Sequence, residues 1–182
     1  MIRHRVLVAV AVAVVCLAPT LADAAFTRIG TPTVQFTAAG PGGLKIVGTT
    51  HELDVRDDGT SVTVSVPLAN LDTGIGLRNK HMREKYLEVD KYPRAELAVK
   101  RADIKVPEAG APTAGEANGT MLIHGISRPA RFSYKSRRDA SGIHVTGAVR
   151  VNINDHGIAV PSYLGVTVKP DVDVELSFEA NE

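Results

Sequence analysis

Residues 171–179, DVDVELSFE, decide the fold class of this chain. Val172, Val174, Leu176 and Phe178 alternate with acidic or polar residues, so that every second side chain is apolar. Successive side chains of a β-strand point to opposite faces, and this alternation is typical of an antiparallel sheet with one buried and one solvated face. The stretch therefore predicts a strand whose apolar face packs into a core.

Similar strand patterns recur along most of the chain. Val62, Val64 and Val66 also alternate with small polar residues, and Asp57-Asp58-Gly59 before them predicts a hairpin turn. The apolar residues of 95–106 change phase once, which predicts a single bent strand with a bulge. Eight strand-like stretches result: 33–36, 44–55, 61–68, 95–106, 119–124, 130–136, 142–154 and 166–179.

About eight strands joined mostly by short turns can close into a barrel that holds one small ligand. A β-sandwich is the alternative architecture. The chain has no Trp, four Phe and four Tyr, and its inward-facing strand positions are mostly Val. Small walls leave room inside, so the sequence favours an all-β antiparallel barrel. Residues 107–118, rich in Ala, Gly and Pro, are expected to form a surface loop.

One stretch, residues 68–93, interrupts the strands with a helical pattern. Ile75, Met82, Tyr86 and Val89 share one helical face, which predicts an inserted helix near residues 75–88 that packs by that stripe. Over a hollow barrel, Met82 and Tyr86 are candidates for its mouth or lid. The sequence leaves open whether the helix gates the barrel or seals it.

Residues 1–24 have the pattern of a secretory signal peptide, with a basic head, an apolar run over 6–18 and the sequence Ala22-Asp23-Ala24. Cleavage near Ala24 would leave residues 25–182 as a single domain in the periplasm or outside the cell. The run of 13 apolar residues is shorter than the roughly 20 that span a bilayer, so we expect no stable membrane anchor. The one cysteine, Cys16, would leave with the signal peptide.

Charge and motif content argue against several function classes. Without the first 24 residues the chain carries 19 basic and 19 acidic residues, which gives no electrostatic footprint for nucleic acid. Its five remaining histidines lie far apart in sequence, so no metal site is predicted. Ser127 follows Gly125 without the second Gly of a nucleophile elbow, and no phosphate-binding loop is present. We expect no catalytic residue and no cofactor.

Three stretches carry a resemblance to a known family: residues 75–87, residues 119–129 with the sequence GTMLIHGISRP, and residues 154–158 with NDHGI. In these the chain resembles the YceI-like family of exported polyisoprenoid-binding proteins, over nearly all of residues 25–182. The resemblance implies an extended, lipocalin-like antiparallel barrel. It also implies an apolar tunnel for a long isoprenoid or related lipid, and no catalysis.

The resulting hypothesis is an exported, soluble, non-enzymatic protein that sequesters or carries an isoprenoid or similar long-chain lipid, an isoprenoid quinone included. Arg78, His81 and Asp155 are candidates for contacts with a polar head group. Two alternatives stay open, an interaction module with a filled core and an enzyme that uses His81, His124 or Asp155; a homodimer also stays open. The predicted tunnel wall consists of Val62, Val64, Val66, Met82, Tyr86, Leu97, Val99, Met121, Ile123, Phe132, Tyr134, Val149, Val151, Val174 and Leu176.

Overall fold

The structure, a computed structural model, describes residues 25–163 and 165–181, and the predicted signal peptide lies outside these residues. Nine strands of the described chain form one antiparallel sheet in the order β2-β1-β11-β8-β7-β6-β5-β4-β3, and β9 pairs with β10 in a separate hairpin. The strands are β1 Thr27–Ala39, β2 Lys45–Thr50, β3 Asp54–Asp57, β4 Ser61–Pro67, β5 Arg94–Lys100, β6 Thr113–Ile123, β7 Ile126–Asp139, β8 Gly142–Asn152, β9 Ser162–Tyr163, β10 Val166–Thr167 and β11 Asp171–Asn181.

The sheet curls into a half-barrel because its two edge strands, β2 and β3, are consecutive in the chain and joined only by residues 51–53. The backbone N–H of Phe26 donates to Oδ2 of Asp57 at 3.1 Å, which ties the chain just before β1 to the end of β3. The predicted all-β, lipocalin-like antiparallel fold is thus confirmed, with nine strands in the sheet instead of eight. The extra strand arises because the predicted strand 44–55 is broken where Leu53, only 2% exposed, enters the core.

The predicted helix near residues 75–88 is present. It consists of an α-helix α1, Gly76–His81, followed by one π-helical turn, Met82–Tyr86. The predicted packing stripe holds only in part, because Met82 and Tyr86 are half-buried whereas Ile75 is 49% exposed. No described helix is long and apolar enough to cross a membrane.

The start of α1 is held by two side chains rather than by a single N-cap. Oδ1 of Asp72 accepts hydrogen bonds from the Gly74 backbone N–H at 2.8 Å and from Nδ2 of Asn79 at 2.6 Å. Oδ1 of Asn79 in turn accepts the backbone N–H of Thr73 at 2.9 Å. The Asn79 side chain and the backbone N–H of Gly74 hold the pKa of Asp72 below its usual value.

The predicted bent strand 95–106 is wrong in its second half. β5 ends at Lys100, and the chain enters a 3-10 turn, Arg101–Asp103, in which the backbone N–H of Arg101 donates to the Thr60 carbonyl at 2.8 Å. The predicted loop 107–118 is also too long, since β6 begins at Thr113. Residues 104–107, which alternate like a strand, instead cross one end of the half-barrel.

The two ends of the half-barrel differ. The hairpin end carries the turns at 58–60 and 140–141 and the connection 101–112, and the helix end carries residues 68–93 and the turn at 124–125. One buried cluster includes Val62, Val99 and Phe132, and a second includes Val34 and Leu53. Both lie on the inner face, where the strand alternation places the apolar side chains.

Candidate functional site

The half-barrel contains an apolar cavity of about 120 Å³. Six of the nine sheet strands, β3, β4, β5, β7, β8 and β11, contribute residues to it, together with residues 104–107 and Phe26. Its lining consists of Phe26, Val55, Val62, Val64, Leu97, Val99, Ile104, Lys105, Val106, Pro107, Phe132, Tyr134, Ser136, Ile143, Val145, Gly147, Ala148, Val149, Val174, Leu176, Phe178 and Ala180.

The cavity occupies the half of the barrel next to the hairpin end. Among the described residues its lining stops at Val149, Val174 and Leu97, and Met121 and Val151 beyond them are buried without lining it. The buried side chains of Met121 and Val151 occupy the interior towards the helix end, which we call the packed half. The cavity that the described residues line thus lies at one end of the half-barrel, whereas the predicted tunnel follows the whole barrel axis.

The structure brings nine of the fifteen predicted wall residues together around this cavity. Of the other six, Met121 and Val151 are buried in the packed half, Ile123 is half-buried near the β6–β7 turn, and Val66 packs against the cluster around Leu53. Met82 and Tyr86 belong to the helix end and do not line the cavity. The nine that line it are Val62, Val64, Leu97, Val99, Phe132, Tyr134, Val149, Val174 and Leu176.

Sequence reasoning missed the segment that covers the cavity, residues 104–107, which we call the cover segment. The backbone N–H of Lys105 donates to the Tyr134 hydroxyl at 2.8 Å, and Nε of Arg138 donates to the Pro107 carbonyl at 3.1 Å. Both side chains come from β7, so this strand holds the segment across the hairpin end. Val106 is 37% exposed and also lines the cavity, which places the cover segment between the cavity and solvent.

A buried ion pair holds the turn that leads into the cover segment. The Asp57 side chain is 0% exposed and pairs with the guanidinium of Arg101, whose own side chain is 9% exposed. The other Asp57 oxygen accepts the Gly59 backbone N–H at 2.9 Å, and the guanidinium carbon lies 4.5 Å from the centroid of the Phe26 ring. Breaking a buried pair leaves an uncompensated charge, so this contact fixes Phe26 and the turn after β5 strongly.

Polar groups are sparse in the cavity. The Tyr134 hydroxyl accepts the Lys105 backbone N–H, whereas the Ser136 hydroxyl has no hydrogen-bond partner in the described part of the chain although Ser136 is only 7% exposed. Among the lining residues that the structure describes, Lys105 is the one charged residue, and it is exposed. The walls thus suit an apolar group, with the few polar atoms near the hairpin end.

The three predicted head-group residues lie away from the cavity. Arg78 and His81 belong to α1 at the helix end, half-buried and exposed respectively. Asp155 is exposed in the 3-10 turn Ile153–His156, where its backbone carbonyl accepts Nε of Arg128 at 3.0 Å. None of these three residues lines the cavity.

His124, the other histidine considered for catalysis, takes part in a contact between two connections at the helix end. Its Nε2 lies 2.9 Å from Oε2 of Glu88, and its ring centroid lies 4.3 Å from that of Tyr92. Lys91 and His124 hold the pKa of Glu88 below its usual value. The contact joins the end of the helical segment to the β6–β7 turn. His81, His124 and Asp155 thus have separate local surroundings and do not converge on the cavity.

Comparison with known proteins gives a family match over most of the chain. The model of the YceI-like domain family matches residues 23–180. No curated protein matches the chain.

Two solved structures share the fold at low sequence identity. A polyisoprenoid binding domain from Saccharophagus degradans, described as implicated in plant cell wall breakdown, is 15% identical, with a TM-score of 0.72 over 86% of this chain and 97% of that one. BcnA of Burkholderia cenocepacia is 13% identical, with a TM-score of 0.65 over 81% of this chain and 94% of its own. The motifs, the curled antiparallel sheet and the match over residues 23–180 lead to one conclusion: the chain belongs to the YceI-like domain family.

Proposed function

We propose that this protein binds an isoprenoid or similar long-chain lipid in the cavity of the half-barrel and carries or sequesters it outside the cytoplasm. The observation that carries this proposal is the lining: of the described residues in it, only Lys105, Tyr134 and Ser136 have polar side chains. The description of the Saccharophagus degradans domain as polyisoprenoid-binding supports the choice of ligand class. The signal-like pattern of residues 1–24 supports export.

The cavity volume limits how much of a chain enters without rearrangement. Engineered apolar cavities of about 150 Å³ in another protein hold a benzene molecule, so the 120 Å³ here suit a group of about five or six carbons. That is about one isoprene unit. A longer chain requires the cover segment to move outwards or the packed half to rearrange.

The number of carbon atoms that the cavity buries also limits the binding free energy. Burying a CH₂ group is worth about 0.8 kcal/mol, so one five-carbon unit supplies about 4 kcal/mol before the costs of association. A micromolar complex requires about 8 kcal/mol. At least two units must therefore be buried for micromolar binding, so one of these two changes, movement of the cover segment or rearrangement of the packed half, is part of the proposal.

The two alternatives have less support. An interaction module with a filled core does not need an apolar cavity, whose emptiness lowers the stability of the fold. An enzyme acting on the bound lipid through His81, His124 or Asp155 needs those side chains at the cavity, and they lie elsewhere. Lipid binding without a step of catalysis fits the geometry best.

The test begins with the purified mature protein, residues 25–182. Native mass spectrometry before and after solvent extraction should detect a bound lipid, and unlabelled prenols of two to eight units added to the extracted protein should raise its melting temperature. At a concentration one hundred times Kd, a ligand stabilises the folded state by about 2.7 kcal/mol, which corresponds to roughly 5 to 11 °C for a domain of this size. Absence of a co-purified lipid together with absence of any shift across the series would refute the proposal.

A further inference from the structure

Ser136 is the polar residue that the apolar cavity does not explain. It lies on β7, is 7% exposed and lines the cavity, yet its hydroxyl has no hydrogen-bond partner within residues 25–163 and 165–181. Buried polar side chains in folded proteins are almost always hydrogen-bonded, so an unpaired one requires an explanation. A hydroxyl in a cavity wall is explained if the ligand supplies the partner.

A second hydroxyl lies beside it. Tyr134 precedes Ser136 by two residues on the same strand, so both side chains are on the inner face. The Tyr134 oxygen accepts the Lys105 backbone N–H at 2.8 Å, and the described chain offers its O–H hydrogen no acceptor. The two hydroxyl groups thus belong to the part of the cavity wall close to the cover segment, and the other end of the cavity is apolar.

The surroundings also select the charge of the group that these hydroxyls can bind. Apart from Lys105, which is exposed at the cover segment, no lining residue within 25–163 and 165–181 is charged. An anionic head at Ser136 would lose its hydration without a buried cation to replace it, which is strongly unfavourable. A neutral oxygen, in an alcohol or a carbonyl, needs only the hydrogen bonds that the two hydroxyls can supply.

We propose that Ser136 holds the head of the bound lipid, and that this head is a neutral oxygen-bearing group whose hydrocarbon chain runs towards Val149 and Leu176. The inference rests on the proposed lipid binding and adds the orientation and the head-group class. It places the head at the hairpin end, opposite to Arg78 and His81. Alcohols and carbonyl compounds share the required chemistry, and the experiment separates them.

The experiment compares three protein variants with four short ligands of the same branched carbon chain: geraniol, its aldehyde, the corresponding hydrocarbon and geranic acid. Ser136→Ala removes the hydroxyl, and Ser133→Ala is the matched control because Ser133 is exposed on the same strand. Dissociation constants come from calorimetry or from displacement of a fluorescent probe. The melting temperature of each variant reports whether it is folded.

Ser136→Ala should weaken binding of geraniol or its aldehyde about fivefold, the effect of one hydrogen bond, and leave the hydrocarbon unchanged. Ser133→Ala should change none of the four. Because the removed hydroxyl has no partner, Ser136→Ala should not lower the melting temperature of the free protein.

Three outcomes would overturn the inference. Equal weakening of alcohol and hydrocarbon would indicate a general change of the cavity, and no weakening of either oxygen compound would mean that Ser136 has no ligand contact. Geranic acid as the tightest ligand, lost on Ser136→Ala, would replace the neutral head by an anionic one. In these cases lipid binding still stands, whereas failure of all four ligands and of the longer prenols on the unmodified protein removes the proposed function itself.

Discussion

Two valines on β8 distinguish an open cavity from a filled core. Val149 and Val151 are two residues apart on the same face of one strand, but Val149 lines the cavity whereas Val151 is 6% exposed in the packed half. Empty volume lowers stability by about 24 cal/mol per Å³, so a cavity of 120 Å³ represents about 3 kcal/mol. A side chain that fills part of it recovers part of that free energy.

Val149→Phe should therefore leave the free energy of unfolding unchanged or raise it by up to about 3 kcal/mol, since the larger ring enters existing space. Val151→Phe should lower it by about 1 to 3 kcal/mol, because the extra atoms enter a filled region. At the same time Val149→Phe should abolish the increase in melting temperature that prenols cause. The two substitutions are chemically identical, so their difference isolates the cavity.

Urea denaturation of both variants measures the two free energies of unfolding. The slope of each transition should equal that of the unmodified protein, which checks that unfolding exposes the same amount of surface in all three proteins. Thermal shifts with prenols measure binding. If both variants lose the same stability, the interior at Val149 is as full as at Val151, and the argument from the cavity is wrong. If Val149→Phe is stable and still binds prenols, the ligand site lies elsewhere.

The remaining predictions concern the sheet and the start of the helix. A Cβ on Gly119 would lie 2.6 Å from the backbone oxygen of Ala98, so Gly119→Ala should lower the free energy of unfolding by about 1 to 3 kcal/mol, measured in urea. Gly76→Ala is the control, because no neighbouring atom lies within 4 Å of the new Cβ. It should raise the free energy of unfolding by up to about 1 kcal/mol. An equal loss of stability in the two variants would contradict the steric argument. Folding lowers the pKa of Asp72, chiefly through the hydrogen bond from Asn79. The ionised carboxylate therefore stabilises the helix start at pH values above the unfolded pKa near 4. This stabilisation is lost as the pH falls through the lower pKa of the folded state. The side-chain amide signals of Asn79 in NMR should therefore shift below about pH 4, and a shift that persists in Asp72→Asn would assign it to another group.

The alternation of apolar residues was sufficient to predict the sheet. In β11 the acidic residues Asp171, Asp173 and Glu175 are exposed, and Val174 and Phe178 face the interior, as the pattern of 171–179 requires. Such a pattern depends only on which side of a strand meets water, so it is visible in one strand at a time. The break at Leu53 was not predictable in this way, since Leu44 to Val55 continues to resemble one strand.

The cover of the cavity could not be predicted because it depends on a contact between residues far apart in the chain. Ile104 and Val106 alternate as strand residues do, and nothing in their own sequence ends β5 at Lys100. Immediately after Lys100 the chain is held by the buried pair of Arg101 with Asp57, which lies 44 residues earlier in the sequence, and by the contact of Arg101 with the Phe26 ring. The helix, whose periodicity was clear, was correctly located but lies at the opposite end from the cavity.

The position of the cavity follows from the register of the strands, which a single sequence does not reveal. Gly115, Tyr134, Gly147 and Leu176 are successive neighbours across β6, β7, β8 and β11. A Cβ on Gly115 would lie 3.1 Å from the Tyr134 hydroxyl oxygen, and one on Gly147 would lie 3.3 Å from Cδ1 of Leu176, so each large side chain lies over a glycine of the adjacent strand. Side chains that lie flat on a neighbouring strand extend less towards the barrel axis, and the row leaves space there. In another register Tyr134 and Leu176 would not lie over these two glycines, which is why composition suggested a hollow barrel but could not place the cavity at the hairpin end.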